Sequence, residues 1–338
     1  MQERLNNIFQ ANKDMCVSTP VSLDPLNADI VRSYLEQVSG SGKTRILLEG
    51  LCRHWGLYLS CYSLESSALE CGATDMPFGI SQCGFEEGFT CGLPSRDSPD
   101  FIEKEMKNCA IARVLFSRIV LVRLIVFNVF MEEVLKHHPQ LHTEESRMNY
   151  RRKWLLLQLR PGKMLELPQD IFSHLVTKLI SRWPGATLDD LQTHIDTLLT
   201  NIHQHLATIT PEEKETIFIV IDEAQHPANT LQRAFYSQAN YADADQYQPL
   251  LHEILATISK VTFSFDCRIV TAGTGISATV MDAVLPSAIR NKDSYLQYSD
   301  TGNFGDEVTH MRYIKKYIPP SLSNEPLLHR IHHWLRGR

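Results

Sequence analysis

Apolar runs and helical periodicities alternate along the chain, and together they predict an α/β fold. Short candidate strands lie at 31–37 (VRSYLEQ) and 56–63 (GLYLSCYS), and longer, almost continuously apolar runs lie at 216–225 (TIFIVIDEAQ) and 267–277 (CRIVTAGTGIS). Runs without polar alternation are typical of parallel strands that are buried on both faces. The sequence therefore predicts a parallel sheet, with helices in the segments that connect its strands.

Helical spacing of apolar residues marks the connecting segments. Residues 43–55 predict one helix directly after the first strand, residues 64–100 predict a long loop, and 247–260 predict a helix between the last two strands. Four helices are expected between the second and third strands, at about 101–137, 145–160, 169–182 and 187–207. The tail, 311–338, predicts two helices on either side of Pro319 and Pro320.

This pattern divides the 338 residues into three parts. We expect an irregular lead-in at 1–30 and an α/β core at 31–285 that carries a helical insertion at about 101–207. Residues 286–338 are expected to form a C-terminal helical, lid-like region. A chain of this length is sufficient for one large domain or for two ordinary ones.

Composition narrows the functional classes. The net charge of −6 gives no whole-chain electrostatic argument for nucleic-acid binding, although a local basic patch is compatible with it. None of the eight cysteines forms a C-x-x-C pair, which favours free thiols in a reducing compartment. The fourteen histidines include adjacent pairs that point apart on a helix, and they predict no metal site.

The amino terminus and the most apolar segment bear on where the protein resides. The first residues, MQERLNNIFQANKDMC, lack an apolar signal region, so we expect an intracellular protein, cytoplasmic or nuclear, and the sequence does not support secretion. The most apolar stretch, 114–130, is interrupted by Arg118 and Arg123. It predicts a buried helix rather than a membrane span.

The segment after the first strand resembles a phosphate-binding loop, G-x-x-x-x-G-K-[ST], except that Gln37 occupies the position of the first glycine. Backbone N–H groups of such a loop hold phosphates at a helix N-terminus, the lysine reaches the β and γ phosphates, and the hydroxyl ligates Mg²⁺. An ordinary strand-to-helix turn is the alternative. The residues predicted to contact the nucleotide are Ser39, Gly40, Ser41, Gly42, Lys43, Thr44 and Arg45, and Thr44 is also a predicted metal ligand.

Two acids follow the third strand and are the second half of the predicted site. In nucleoside triphosphatases an acid at the position of Asp222 holds the hydration shell of Mg²⁺, and the next acid, Glu223, polarises the attacking water. Solvated acids after a core strand are the alternative. Gln225 and His226 come next; they are candidates for relaying the nucleotide state, and turn residues are the simpler interpretation.

The fourth strand ends in hydroxyl residues. In ATPases of this kind, a polar residue at the end of the strand beside the Asp-Glu strand senses the γ-phosphate and orients water. Thr271 or Thr274 is the candidate for this role, and Ser277 is a weaker one. Capping of a following helix by Thr274 or Ser277 is an equal alternative.

The segments SGSGKTRILLEGLCRHWGLYL, VIDEAQ, IVTAGTGIS and YIKKYIPPS…WLRGR resemble the NTPase module of Crinkler-type proteins of fungi and oomycetes, and trypanosomatid retrotransposon hot spot proteins are similar. The resemblance extends over about 31–338. It implies an AAA-like or STAND-like P-loop ATPase that uses Mg²⁺ and ATP or GTP, coupled to a nuclease or other effector domain or protein. It leaves an oligomer and nucleic-acid binding open, and it leads us to expect further protein after WLRGR.

Three functions are compatible with these motifs. The first is Mg²⁺-dependent hydrolysis of a nucleoside triphosphate, with ATP favoured. The second is a nucleotide-held regulatory switch with little or no turnover, and the third is a degenerate scaffold that has lost the nucleotide. The four polar residues Lys43, Thr44, Asp222 and Glu223 are all present, which favours a working site, because a decayed one has no chemical reason to keep them together.

Overall fold

The computed structural model describes residues 32–36, 43–64, 72–137, 143–162, 170–211, 215–236, 247–274, 295–298, 307–315 and 324–335. The helices are α1 (Lys43–Arg53), α2 (Asp75–Cys83), α3 (Phe101–His137), α4 (Glu144–Leu159), α5 (Ile171–Arg182), α6 (Leu188–Ile209), α7 (Gln225–Ala228), α8 (Leu250–Val261), α9 (Glu307–Ile314) and α10 (Glu325–Leu335). The strands are β1 (Arg32–Glu36), β2 (Gly56–Ser60), β3 (Ile217–Asp222), β4 (Phe235–Tyr236), β5 (Tyr247–Gln248), β6 (Cys267–Gly273) and β7 (Tyr295–Tyr298).

Five strands form one parallel sheet in the order β2-β3-β6-β1-β7, and β4 and β5 form a separate antiparallel pair. After β1 the chain forms α1 and crosses to β2 at the far edge, and β3 and β6 then return towards β1. The direction of winding therefore reverses next to β1. In open parallel sheets, ligand crevices form at the carboxyl ends of the strands beside such a reversal.

Alternating side chains divide the sheet into two faces. The α1 face consists of Tyr58, Phe218, Val220, Val270 and Ala272, which pack against Leu47 and Leu51 of α1 and Leu155 of α4. The large-core face includes Leu57, Leu59, Ile219, Ile221 and Ile269, and it is covered by residues of α3, α6 and α8. Both faces are buried, as the apolar runs predict.

Close approach of β2 to β3 depends on a glycine. A Cβ atom at Gly56 would lie 2.2 Å from the backbone oxygen of Phe218 and 2.7 Å from the Leu51 side chain. Only glycine leaves room for the backbone and for α1 at this position. The turn from α1 into β2 is thus fixed tightly against the strand that carries the acids.

The 37-residue helix α3 forms the centre of the large core. Among the described residues it is the helix that is long and apolar enough to cross a membrane, and 78% of its most apolar window is buried inside the protein. Two of its three arginines, Arg118 and Arg123, are buried. Arg123 forms an ion pair with Asp75 of α2, at 2.6 Å from Nε to the carboxylate, and its guanidinium lies 4.0 Å from the ring centroid of Phe172.

Strand β2 lies at an edge of the sheet. Side chains form hydrogen bonds with those of its backbone groups that point away from β3. Trp154 donates from Nε1 to the carbonyl oxygen of Gly56 at 2.6 Å. Gln158 accepts from the Tyr58 N–H at 2.8 Å and also donates to the Gly56 carbonyl. Arg123 donates to the Tyr58 carbonyl at 3.2 Å. Because buried backbone groups need partners, α3 and α4 complete this edge in place of another strand.

The predicted strands at 31–37, 56–63, 216–225 and 267–277 are confirmed with shorter bounds, and the predicted helices at 43–55, 101–137, 145–160, 169–182, 187–207 and 247–260 are confirmed. The prediction of a loop over 64–100 was wrong, because helix α2 lies within it. This helix is short and contains Pro77 and Gly79, but it buries Met76, Ile80 and Cys83. The first tail helix begins at Glu307, before the predicted start at 311, while Pro319 and Pro320 lie outside the described residues.

Candidate functional site

Helix α1 begins at Lys43, so Lys43 and Thr44 lie in its first turn. The backbone N–H groups of a first turn have no partner within the helix and are available to an anion. Apolar contacts of Leu47 and Leu51 hold the helix on the α1 face of the sheet. The predicted loop residues Ser39, Gly40, Ser41 and Gly42 lie outside the described residues.

Asp222 ends β3 and is buried, with 2% of its surface exposed. The hydroxyl of Tyr58 donates to its Oδ2 at 2.8 Å, and the backbone N–H of Glu223 donates to its Oδ1 at 3.0 Å. Thr44 forms a further side-chain hydrogen bond to this carboxylate. Burial raises the pKa of Asp222, whereas the hydrogen bonds from Tyr58 and Thr44 act to lower it. The predicted metal ligands Thr44 and Asp222 are therefore in direct contact.

Lys43 brings a cation to the same place. Its side chain is buried, with 7% of the residue exposed. Burial lowers the pKa of the Lys43 ammonium group, and the carboxylates of Asp222 and Glu223 act in the opposite direction. The structure thus brings together Lys43, Thr44, Asp222 and Glu223, which come from α1 and from the end of β3. A buried cation beside two acids is an arrangement found at functional sites more often than elsewhere.

Glu223 has an unusual backbone conformation. Its φ angle is 57°, in the left-handed region that side-chain-bearing residues rarely adopt, which costs of the order of 1–3 kcal/mol. Gln225 donates from Nε2 to the Glu223 carboxylate. The same Gln225 side chain accepts, through Oε1, a hydrogen bond from the backbone N–H of Thr274 at 2.9 Å. A chain of hydrogen bonds therefore connects the end of β3 to the end of β6.

The two candidate sensor threonines lie in different places. Thr271 is buried and pairs with Ile221 in the sheet, so its side chain lies on the large-core face, opposite Asp222. Thr274 follows the last residue of β6 and joins the hydrogen-bonded chain through its backbone N–H. Of the two, Thr274 is the one connected to the acids. Ser277 lies outside the described residues.

The side chain of Arg45 forms an ion pair with Glu49, one turn further along α1. Its Nε lies 2.8 Å from the carboxylate of Glu49, and the two side chains are 33% and 18% exposed. Such a partly solvated pair one helical turn apart contributes about 0–1 kcal/mol. The structure therefore gives Arg45 a partner on α1, separate from the cluster around Asp222.

Tyr58 is a site residue that sequence reasoning missed. It lies in an apolar strand, 164 residues from Asp222, and no local pattern marks its hydroxyl as a ligand of that carboxylate. The Nδ1 atom of His226 lies 3.0 Å from the carbonyl oxygen of Cys61, which attaches the turn after β3 to the end of β2. Both contacts depend on the pairing of β2 with β3, and no local pattern in the sequence predicts that these two strands are neighbours.

The donor atoms at this site suit Mg²⁺. Mg²⁺ prefers oxygen ligands and is usually bound by one or two protein side chains together with water and substrate phosphates. Asp222 and Thr44 supply a carboxylate and a hydroxyl that already touch each other. Within the described ranges, no group of three or more His, Cys, Asp or Glu residues could enclose a metal ion on its own. The six cysteines in these ranges are free thiols.

Comparisons with models of protein families, with curated proteins and with solved structures found no match to this chain.

Proposed function

We propose that the chain binds a nucleoside triphosphate with Mg²⁺ and hydrolyses it, with ATP favoured, as a P-loop NTPase module of the AAA-like or STAND-like kind. The observation that carries the proposal is the contact of Thr44 with Asp222 beside the buried ammonium group of Lys43. Asp222 lies far from Lys43 and Thr44 in the sequence, and these are the residues that the two motifs predict to meet.

The order of the strands supports the same function. Strand β6 lies between β1, which leads to the glycine loop, and β3, which ends in the two acids. A P-loop ATPase needs its sensor strand beside the Asp-Glu strand, and β6 satisfies this requirement. The start of α1 and the ends of β3 and β6 meet at the carboxyl edge of the sheet, next to the reversal of winding, where a ligand crevice is expected.

Each polar group has a role in this proposal. The Lys43 ammonium group and the first-turn N–H groups of α1 bind phosphate oxygens, and Thr44 and Asp222 are the residues that would hold Mg²⁺. The ion supplies positive charge to the phosphate oxygens when it is bound. Because Lys43 is buried beside two carboxylates, its charge is already oriented in the free protein and needs little rearrangement when a phosphate enters.

Glu223 is the proposed general base. The oxygen of water forms a bond to the γ-phosphorus, the bond from that phosphorus to the β–γ bridging oxygen breaks, and the nucleoside diphosphate leaves with the electron pair. The proton of the water passes to the Glu223 carboxylate. Asp222 is the last residue of β3, whereas the left-handed backbone of Glu223 turns the chain away from the path of the strand. The two adjacent acids can thus serve different atoms.

Calorimetry and phosphate-release assays on the full chain test the proposal. ATP and GTP are titrated with and without Mg²⁺ into the wild type, Lys43→Ala, Asp222→Asn and the control Lys136→Ala, whose side chain is 66% exposed on α3. Loss of a charge-assisted hydrogen bond of about 1.5–3 kcal/mol should weaken binding of Lys43→Ala about 10–100-fold. Asp222→Asn should weaken the Mg²⁺-dependent part of binding, and the control should match the wild type.

Equal heats for the wild type and Lys43→Ala would overturn the proposal. Nucleotide binding without phosphate release would instead identify a nucleotide-held switch, and no binding of either nucleotide would identify a degenerate scaffold. The resemblance to Crinkler-type proteins adds a proposal about partners, namely a nuclease or other effector domain that the nucleotide state controls.

A further inference from the structure

Gln225 is the first residue of the short helix α7, and its side-chain amide has a partner at each end. Its Nε2 group donates to the carboxylate of Glu223, and its Oε1 atom accepts from the backbone N–H of Thr274 at 2.9 Å. A carboxylate can only accept and a backbone N–H can only donate, so the two partners fix the orientation of the amide.

The Gln225 amide thus bridges Glu223 and Thr274, and it restrains a Glu223 side chain that the backbone alone leaves free to move. Glu223 has a left-handed backbone conformation and is only partly buried, so its carboxylate depends on a hydrogen bond for a defined position. Thr274 lies directly after β6, and the backbone N–H of Ala224 also donates to the Ala272 carbonyl oxygen at 2.9 Å. The turn that carries Glu223 is therefore connected to the end of β6 through a main-chain bond and through Gln225.

We infer that Gln225 is a positioning residue, which orients the Glu223 carboxylate towards the attacking water and makes this orientation depend on the end of β6. The inference rests on the proposed NTPase function. Gln225 takes no proton and touches no phosphate in this role. A shift of Thr274 relative to Glu223 would break one of the two hydrogen bonds of the amide, so the end of β6 controls the turnover of nucleotide and has little effect on its binding.

Two substitutions separate the two contacts. Gln225→Ala removes both. Gln225→Glu has almost the same shape and can still accept from Thr274, but when ionised it cannot donate to Glu223 and repels it. Gln232→Glu makes the same chemical change at an exposed position after α7 and is the matched control. Melting temperatures of all variants are recorded to verify folding.

The full chain is assayed with ATP and Mg²⁺ for affinity and for phosphate release, and exchange of the Thr274 amide proton is followed without nucleotide. Both Gln225 variants should lose about 10–100-fold in kcat, the loss that follows when a hydrogen-bonding partner that orients a metal ligand is removed. Their nucleotide Kd should stay within about 3-fold of the wild type. Thr274 exchange should accelerate in Gln225→Ala and stay slow in Gln225→Glu.

The pH dependence gives a readout that a merely structural role would not produce. Protonation of the introduced carboxyl group restores an O–H donor, so the activity of Gln225→Glu relative to wild type should rise from about pH 8 to about pH 6, whereas Gln225→Ala should show no such recovery. Wild-type kcat in both variants would overturn the inference while leaving the NTPase proposal intact. A loss of nucleotide affinity as large as the loss of kcat would do the same. A wild type that hydrolyses no nucleotide would overturn both.

Discussion

The hydroxyl of Tyr58 provides a direct test of how the buried Asp222 is stabilised. Tyr58→Phe removes one donor, which lies 2.8 Å from Oδ2, and leaves the ring in place. A hydrogen bond to a charged group contributes about 1.5–3 kcal/mol, and one pKa unit corresponds to about 1.4 kcal/mol. We therefore expect Tyr58→Phe to lower the free energy of unfolding by about 1.5–3 kcal/mol at a pH above the folded pKa of Asp222.

The sign of the pH dependence follows from the direction of the pKa shift. In the unfolded chain an aspartate ionises near pH 3.9, whereas burial raises the pKa of Asp222 in the fold. Ionisation of Asp222 thus costs stability as the pH rises through this window. Tyr58→Phe removes a hydrogen bond that lowers this pKa, so its effect should be full above the folded pKa and should shrink as the pH falls below it.

Urea unfolding followed by tryptophan fluorescence measures this difference, because Trp55 and Trp154 are both buried. Tyr247→Phe is the matched control, since its hydroxyl donates to the neutral carbonyl oxygen of Pro94 at 2.9 Å. The control should lose about 0.5–1.5 kcal/mol at every pH. If the loss of free energy in Tyr58→Phe does not shrink as the pH falls below the folded pKa of Asp222, the assigned contact with an ionised Asp222 is wrong.

Three further predictions concern catalysis, folding and the loop. Glu223→Gln should keep near-normal nucleotide affinity and lose about 10²–10⁴-fold in kcat, measured by phosphate release, and loss of binding would mean that the roles of the two acids are reversed. Arg123→Met should destabilise the fold by about 3–5 kcal/mol in urea unfolding, because it leaves the fully buried Asp75 unpaired; adding Asp75→Leu should recover part of this loss, and no recovery would argue against the pair. Gln37→Gly should bind nucleotide at least as well as the wild type by calorimetry, and much weaker binding would assign Gln37 a role of its own.

The strands and the long helices could be predicted because their apolar runs and helical spacings are longer and more regular than those found in loops. The run from Ile217 to Ile221 is apolar at every position, and all of it is buried in the sheet. Helix α2 could not be predicted, because its glycine and proline resemble loop composition and its stability comes from contacts with α3. Strand β7 has four residues, too few for a periodic signal.

The residues of the candidate site likewise fall into those that local motifs predict and those that depend on strand pairing. Thr44 and Asp222 could be paired from sequence, because each belongs to a motif whose partner has a known chemistry. Tyr58 could not, since its contact requires β2 to lie beside β3. The bridge formed by Gln225 requires the register of β3 and β6, and that register depends on the packing of the whole sheet rather than on residues near Gln225 in the sequence.

The completed edge of β2 also has a consequence for assembly. The Gly56 carbonyl and both outward groups of Tyr58 are already bonded to side chains, so a strand from another molecule cannot be added there. Copies of the chain that associate would have to meet through other surfaces. The protection is conditional, however, because it is supplied by α3 and α4. Mild heating that loosens these helices before the sheet melts would expose a hydrogen-bonding template, and aggregation would then begin at β2.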